Sequence, residues 1–193
     1  MKIVGVGCGP GMLTEQAIRA LARATDVYGS RRALDLAAPH LPPGCTVQEI
    51  TDYKNLRSLP ADAVVLSTGD PMLAGLGYLG GEIIPGISSL QVACARLGIS
   101  LAGIAVVTAH GRDHGRAVAR TLDELGRGKT VFIIADPAFD VGLLGAEIAR
   151  AGRDVRIALC ERLGYPDERI AVGTPVAPPA KEHELFVLCI GVF

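Results

Sequence analysis

The sequence predicts an α/β protein with two α/β domains, because short β-branched runs alternate with segments rich in Ala, Leu and Arg. Alternation of this kind favours a parallel sheet covered by helices. In the first part of the chain, strands are predicted at 2–6, 26–28, 46–50, 63–67 and 82–84. Helices are predicted there at 14–24, 30–38, 72–79 and 88–97, and Thr14 marks the start of the first.

The pattern starts again after residues 98–103, where Gly98, Ser100 and Gly103 interrupt it. We therefore predict an N-terminal domain over 1–102 and a C-terminal domain over 103–193. Further strands are predicted at 104–108, 130–134, 155–160, 169–173 and 185–192. Helices are predicted at 115–125 and 140–151, with a stiff Pro-rich loop at 175–179.

Composition narrows the functional classes. The 193 residues are 49% hydrophobic and 20% charged with a net charge of −1, and the absence of a Lys/Arg-rich run argues against a nucleic-acid partner. No apolar run approaches the roughly 18–20 residues of a membrane span. Met1 and Lys2 lead straight into a strand, which leaves no room for a secretory leader and predicts a cytoplasmic protein. The five scattered cysteines favour reduced thiols.

The corner at residues 67–77 follows the predicted strand at 63–67. Gly69 allows a close backbone approach, Pro71 fixes one φ angle, and Asp70 supplies an acceptor or a negative charge. Parallel sheets bind ligands at the carboxyl ends of their strands, which is where this corner is expected. A strand-to-helix turn without function is the plain alternative.

A glycine-rich loop, residues 5–11, follows the first predicted strand and suggests a dinucleotide fingerprint. The match is imperfect: counting from Gly5 puts Pro10 at the third glycine position, and counting from Gly7 puts Met12 there. The helix is expected only at Thr14, so its N–H groups would lie away from a pyrophosphate. We favour a loop whose glycines let a large flat substrate, or another loop, approach the sheet edge.

Three further segments carry polar groups at predicted strand or helix ends. Residues 84–98 contain Pro-Gly-Ile-Ser-Ser-Leu-Gln, in which the serines can cap the next helix. Residues 108–114 contain His110-Gly111-Arg112, where Arg112 can hold a carboxylate in bidentate fashion. His110 and His114 lie four residues apart, but no Glu between them offers a further metal ligand. We therefore predict no metal site here. The last of these segments is 160–169, in which Glu161 ends a strand at the expected ligand edge.

These five segments, in this order along almost the whole chain, resemble the tetrapyrrole (corrin/porphyrin) methyltransferase family. The Pro-Gly-x-Ser-Ser-x-Gln and His-Gly-Arg strings resemble its branch that methylates C5 of precorrins or cobalt-precorrins in cobalamin biosynthesis. The resemblance implies S-adenosylmethionine bound in a cleft between two α/β domains, with S-adenosylhomocysteine as product. It also implies a homodimer, and a separate C15-methylating decarboxylase as a further partner.

The resemblance, read with the chemistry of the residues, predicts three groups of site residues. The cofactor-binding group is Gly69, Asp70, Pro71, Leu73, Ser88 and Ser89. The substrate-binding group is Gly7, Gly9, Pro10 and Arg112, and other arginines that could hold macrocycle carboxylates are Arg31, Arg32 and Arg116. The candidate acceptors for the proton released after methylation are Asp70, His110 and Glu161.

Four alternatives remain open at this level. Two are members of the same family: a methylase acting at another corrin carbon, and a diphthine-type methylase acting on protein. A third is a nicotinamide-dependent oxidoreductase using the glycine-rich loop, against which the misplaced third glycine argues. The fourth is a corrinoid carrier without catalytic activity, against which the Gly-Asp-Pro corner argues.

Overall fold

The computed structural model describes residues 1–111 and 113–193, and the chain passes between two units, Met1–Ser89 and Leu90–Phe193. The two domains predicted from sequence, 1–102 and 103–193, stay a prediction. The units divide before that boundary, because most of the helix predicted at 88–97 belongs to the second unit.

The first unit is built on a five-stranded parallel sheet with the order β3-β2-β4-β1-β5. Its strands are β1 Lys2–Gly5, β2 Asp26–Gly29, β3 Thr46–Glu49, β4 Val64–Ser67 and β5 Glu82–Ile84. The inner strands β1 and β4 are almost entirely buried, as the runs of Val, Ile and Leu in them predict for a covered parallel sheet. The predicted parallel sheet is therefore confirmed.

Two α-helices of this unit begin at hydroxyl caps. Helix α1 is Glu15–Leu21, and Thr14 Oγ accepts a hydrogen bond from the backbone N–H of Ala17 at 3.1 Å, so the predicted helix start is confirmed. Helix α2 is Arg31–Ala37, capped in the same way by Ser30.

The predicted helix at 72–79 is wrong. The chain there makes turns and then a single 3₁₀ helix, Leu76–Leu79. Ala74 has a φ of 54°, which interrupts a right-handed helix, and Gly75 and Gly77 favour helix formation poorly.

The second unit mixes both strand directions. Its elements are α3 Ser89–Leu97, which begins on the last residue of the first unit, then β6 Ile104–Ala109, α4 His114–Gly126, β7 Thr130–Ala135, α5 Val141–Arg150, β8 Arg156–Glu161, β9 Arg169–Gly173 and β10 Phe186–Gly191. The sheet order is β6-β7-β10-β8-β9, with β6 and β7 parallel and the other pairs antiparallel. The chain changes direction where no crossover helix separates consecutive strands, as between β8 and β9.

The core of the second unit surrounds β10, every residue of which is buried. One hydrophobic cluster joins the sheet to the two helices that cover it. It contains Ile133 and Leu188 of the sheet, Leu144 and Ile148 of α5, and Ala117 of α4. Among the described residues, no helix is long and apolar enough to cross a bilayer.

Candidate functional site

Three loops meet at the carboxyl edge of the first sheet, because β4, β1 and β5 are neighbours and all point the same way. Beyond β1 the backbone N–H of Val6 donates to Ser67 O at 3.0 Å. Gly7 and Gly69 then exchange two backbone hydrogen bonds, of 2.8 and 3.3 Å. Both have positive φ angles, 79° and 69°, which glycine adopts without strain.

The third loop packs against the other two through Gly86. A Cβ at Gly86 would overlap the carbonyl oxygen of Gly69 and lie 2.9 Å from Gly5 Cα. A Cβ at Gly5 would in turn lie 2.5 Å from Gly86 N and 2.8 Å from Pro71 Cδ. The loops are therefore in backbone-to-backbone contact, which only glycine allows at these two positions.

Asp70 joins two of these loops through its carboxylate. Oδ1 accepts the backbone N–H of Met72 at 2.8 Å, and Oδ2 accepts that of Gly86 at 3.1 Å. The first bond fixes the turn of its own loop, and the second holds the loop after β5. Asp70 thus organises the corner through both oxygens.

The predicted cofactor-binding residues lie along these loops of the first unit. Gly69 and Pro71 are buried, and Leu73 is half-buried. Ser88 is buried directly before α3, and its Cα lies 3.8 Å from the position that a Cβ on Gly69 would take. Ser89 is the first residue of α3.

The predicted substrate-binding residues divide into two groups. Gly7 and Gly9 are buried within the loop after β1 and Pro10 is exposed, while Cys8 N between them donates to Ile87 O at 3.0 Å. These residues therefore share the edge with the Gly-Asp-Pro corner. Arg112, the fourth member, lies outside the described residues.

A second polar cluster lies at the carboxyl ends of β6 and β7. His110 follows β6 directly and is exposed, and His114 is the first residue of α4. Asp136 follows β7, and its Oδ2 lies 3.0 Å from His114 Nε2 and 3.0 Å from Gly111 N. The His114 imidazole, with backbone N–H groups of Gly111 and Ala138, holds the pKa of the Asp136 carboxyl below its ordinary value against the effect of burial.

Glu161 is fully buried at the end of β8. Its Oε1 accepts the backbone N–H groups of Glu182 and His183, both at 2.7 Å, and its Oε2 lies 2.5 Å from Arg169 Nη1. Burial alone would raise the pKa of Glu161, but these two N–H groups and Arg169 together keep that pKa below its ordinary value. A buried carboxylate engaged through both oxygens favours an anchoring role over proton transfer.

Comparison with known proteins identifies the family. Residues 2–175 match the family described as Tetrapyrrole (Corrin/Porphyrin) Methylases. The chain belongs to this family.

Named relatives agree with that assignment. A probable cobalt-precorrin-7 C(5)-methyltransferase from Methanocaldococcus jannaschii is 30% identical over 187 residues, which cover 86% of each chain. A precorrin-6Y C(5,15)-methyltransferase [decarboxylating] from Mycobacterium tuberculosis is 28% identical over 97% of this chain but only 51% of its own length. The crystal structure of a cobalamin biosynthesis precorrin-6Y methylase from Archaeoglobus fulgidus matches with a TM-score of 0.79 and 31% identity, covering 100% of this chain and 98% of that one.

The glycine-rich loop of this tetrapyrrole methylase lacks the geometry of a dinucleotide site. Helix α1 begins only at Glu15, whereas β1 ends at Gly5. The cap residue Thr14 also donates its hydroxyl to Pro85 O at 3.3 Å, which ties the helix start to the loop after β5. A pyrophosphate bound at the glycine turn would therefore lack the adjoining helix N-terminus that the fingerprint supplies.

Sequence reasoning missed Asp136. A signal was present, since Asp136-Pro137 follows a buried strand as Asp70-Pro71 does. Both aspartates accept the N–H of the residue two positions on and the N–H of a glycine in another loop. The repeated Asp-Pro pair at a strand end would have pointed to both corners.

Proposed function

We propose that this protein is an S-adenosylmethionine-dependent methyltransferase that acts on C5 of a precorrin or cobalt-precorrin in cobalamin biosynthesis. The observation that carries the proposal is the family match over residues 2–175, with named relatives of the C5-methylating type along most of the chain. The three-loop edge built from Gly69, Asp70 and Gly86 supports it, because it is the kind of sheet edge at which α/β proteins bind ligands.

The residues at this edge fit the cofactor. A Cβ at Gly69 would meet only Ser88 Cα, at 3.8 Å, so an extended ligand can approach the peptide groups there, whereas Gly7 and Gly86 pack against Met12 and Gly69 and hold the loops together. When bound, S-adenosylmethionine supplies a methyl group that leaves with the C–S electron pair remaining on sulfur, while the ring carbon provides the electron pair of the new C–C bond and afterwards releases a proton.

The chain's own task is to align the reactants, exclude water and accept that proton. Ser88 and Ser89 hold the polar end of the cofactor, and Asp70 keeps the surrounding loops in place through its two backbone hydrogen bonds. His110 is the proton acceptor, because it is exposed directly after a strand end and histidine is the side chain that most often serves as a general base. Glu161 anchors the second unit instead.

Calorimetric titration with S-adenosylhomocysteine, beside NADH, tests the cofactor assignment. Wild-type protein is expected to bind S-adenosylhomocysteine and to give no heat with NADH. Asp70→Asn replaces one accepting oxygen by an NH₂ group that cannot accept the N–H of Met72 or Gly86, and we expect about a tenfold loss of affinity, or about 1.4 kcal/mol.

Asp113→Asn is the matched control, because Asp113 also accepts a backbone N–H, that of Arg116 at 3.1 Å, but caps α4 in the second unit. Its affinity for S-adenosylhomocysteine should equal that of wild type. Heat with NADH and none with S-adenosylhomocysteine would return the glycine-rich loop to the oxidoreductase interpretation.

Two neighbouring arginines test how the macrocycle is held. Both lie at the start of α2, at the carboxyl end of β2, which is next to β4 in the sheet. Arg31 Nε lies 3.1 Å from Asp35 Oδ1, whereas the half-buried Arg32 has no hydrogen bond or ion pair with the described residues. Arg32 is therefore the one available to a macrocycle carboxylate.

We expect Arg32→Ala to weaken precorrin binding about tenfold, the effect of one lost charge-assisted hydrogen bond. Arg31→Ala should change the same dissociation constant by less than about twofold, because an exposed ion pair contributes little. Affinity for S-adenosylhomocysteine is measured beside both. Equal precorrin affinities in the two variants would remove Arg32 from the substrate site. Arg112 keeps its proposed role in carboxylate binding.

Partners and location complete the proposal. The Mycobacterium tuberculosis relative is named for both C5 and C15 methylation, and this chain spans about half of its length. Because C15 methylation is named together with C5 methylation in that relative, we propose that a decarboxylating C15-methylating activity acts with this protein. A cytoplasmic homodimer is the proposed form. Transfer of a ¹³C-labelled methyl group, located by NMR in the product, distinguishes C5 from another corrin carbon.

A further inference from the structure

The two strand ends at β4 and β7 carry the same hydrogen-bonded corner. At each, Asp and then Pro leave the strand, and one carboxylate oxygen closes the turn by accepting the N–H two residues on, that of Met72 at 2.8 Å or Ala138 at 2.9 Å. The other oxygen reaches a glycine N–H in a different loop. At β7 that glycine is Gly111, which follows the candidate proton acceptor.

Asp136 holds the backbone on both sides of His110. Its own N–H donates to the carbonyl of Ala109 at 3.3 Å, before the histidine, and its Oδ2 accepts the N–H of Gly111 at 3.0 Å, after it. The same oxygen lies 3.0 Å from His114 Nε2. The His114 ring is itself seated edge-on against the buried Phe139, with centroids 5.2 Å apart.

This arrangement leaves the His110 side chain exposed while its main chain is bonded at both neighbouring residues. An imidazole that collects a proton from a bound ring must stand within hydrogen-bond reach of one carbon, so the position of its backbone matters. Both oxygens of Asp136 already accept backbone hydrogen bonds, which favours a positioning role over proton transfer.

We propose that Asp136 is a positioning residue for the methyl-transfer reaction, whose carboxylate holds the backbone after His110, at Gly111, while its main-chain N–H holds the backbone before it, at Ala109. The proposal rests on the proposed function, in which His110 accepts the proton released from the methylated carbon. Asp136 touches neither the macrocycle nor the cofactor in this role. Its contribution passes through His110 and disappears when His110 is absent.

A double-mutant cycle tests this dependence. His110→Gln is expected to lower kcat for precorrin methylation about 100-fold, the loss typical of a removed general base. Asp136→Asn is expected to lower kcat about tenfold in the wild-type background with KM for S-adenosylmethionine unchanged. In the His110→Gln background the same Asp136→Asn change should cost less than twofold, because coupled residues are non-additive.

Asp140→Asn is the matched control. Asp140 accepts the N–H of Leu143 at 2.9 Å and caps α5, and Asn can keep that bond. Asp140→Asn therefore removes a negative charge four residues from Asp136 and leaves the hydrogen bonds at Ala109 and Gly111 in place. Its kcat should equal that of wild type. If Asp136→Asn does not fold, Asp136→Glu displaces the same oxygens while keeping the charge and should give the same pattern. An equal loss from Asp136→Asn with and without His110, or an unchanged kcat in His110→Gln, overturns the proposal.

A second readout separates this inference from the proposed function. The chain has only four histidines, so ¹⁵N-labelled imidazoles can be assigned individually by NMR. Asp136→Asn should move the His110 and His114 signals and leave those of His40 and His183 in place. If wild-type protein transfers no methyl group to a precorrin, the proposed function fails. The NMR spectra then still test whether Asp136 holds the backbone at His110. An unmoved His110 signal contradicts it.

Discussion

Gly86→Ala is expected to weaken binding of S-adenosylhomocysteine about 100-fold and to lower the melting temperature. The added Cβ would overlap the carbonyl oxygen of Gly69 and lie 2.9 Å from Gly5 Cα, and both obstacles are backbone atoms that cannot rotate away. Separating the loops costs about 1–3 kcal/mol of stability, as overpacking does elsewhere. Separating the loops also breaks the hydrogen bond from Gly86 N to Asp70 Oδ2. We attribute the expected 100-fold loss of affinity for S-adenosylhomocysteine, about 2.7 kcal/mol, to this change in the loops.

Two other glycines supply the controls. Gly103→Ala meets nothing within 4 Å and is expected to melt and bind like wild type. Gly11→Ala lies in the glycine-rich loop, where the Cβ also meets nothing but φ is +72°, so it should lose about 1 kcal/mol through strain alone. Calorimetry and thermal unfolding measure both quantities. Wild-type affinity in Gly86→Ala would show that the loop contact does not shape the cofactor site.

Helices and strands with a clear local sequence signal were predictable from sequence. Elements whose conformation depends on contacts with residues distant in sequence were not. The parallel strands of the first unit and the helix start at Thr14 follow from β-branched runs and a hydroxyl cap, both of which are local signals. The segment 72–79 looked helical because its residues are small, yet Gly75 and Gly77 and the positive φ of Ala74 favour turns. Antiparallel pairing in the second unit depends on connection length more than on strand composition.

The candidate site was predictable as a set of motifs but not as a set of contacts. The sequence singled out the Gly-Asp-Pro corner and the Pro-Gly turn, and the structure shows that Asp70 bonds to Gly86 across 16 positions. Such a pairing has no local signal, because it depends on β4 and β5 flanking β1. The same limit hid Asp136, which meets Gly111 only because β6 and β7 are adjacent and parallel.

Glu161 is expected to matter for stability rather than for turnover. It is the cross-strand neighbour of Arg169, and it is the acceptor for two backbone N–H groups in the segment before β10. Glu161→Ala leaves those donors without an acceptor and Arg169 without its buried partner. We expect it to lower the free energy of unfolding by about 3–5 kcal/mol, the range for breaking a buried pair. Chemical denaturation measures this, and kcat per folded molecule should stay near the wild-type value.

Glu182→Gln is the matched control, because Glu182 also pairs with Arg169, at 2.9 Å, but is exposed. Its removal should cost less than about 1 kcal/mol. Glu161→Gln keeps an oxygen for the two N–H groups and loses only the charge, so its deficit should lie between those of the two other variants. A kcat that collapses in folded Glu161→Gln would return Glu161 to the list of proton acceptors.

The stability lost in Glu161→Gln is expected to depend on pH with a definite sign. The pKa of Glu161 is lowered in the folded protein, so the unfolded chain binds its proton first as the pH falls. The stabilisation is therefore complete above the unfolded pKa of about 4.3 and is lost as the pH falls through the lower folded pKa. The difference in unfolding free energy between wild type and Glu161→Gln should be constant from about pH 7 to 5 and should narrow below about 4.3. A difference that widens in acid would mean that Glu161 is protonated in the folded protein, and the anchoring role would fail.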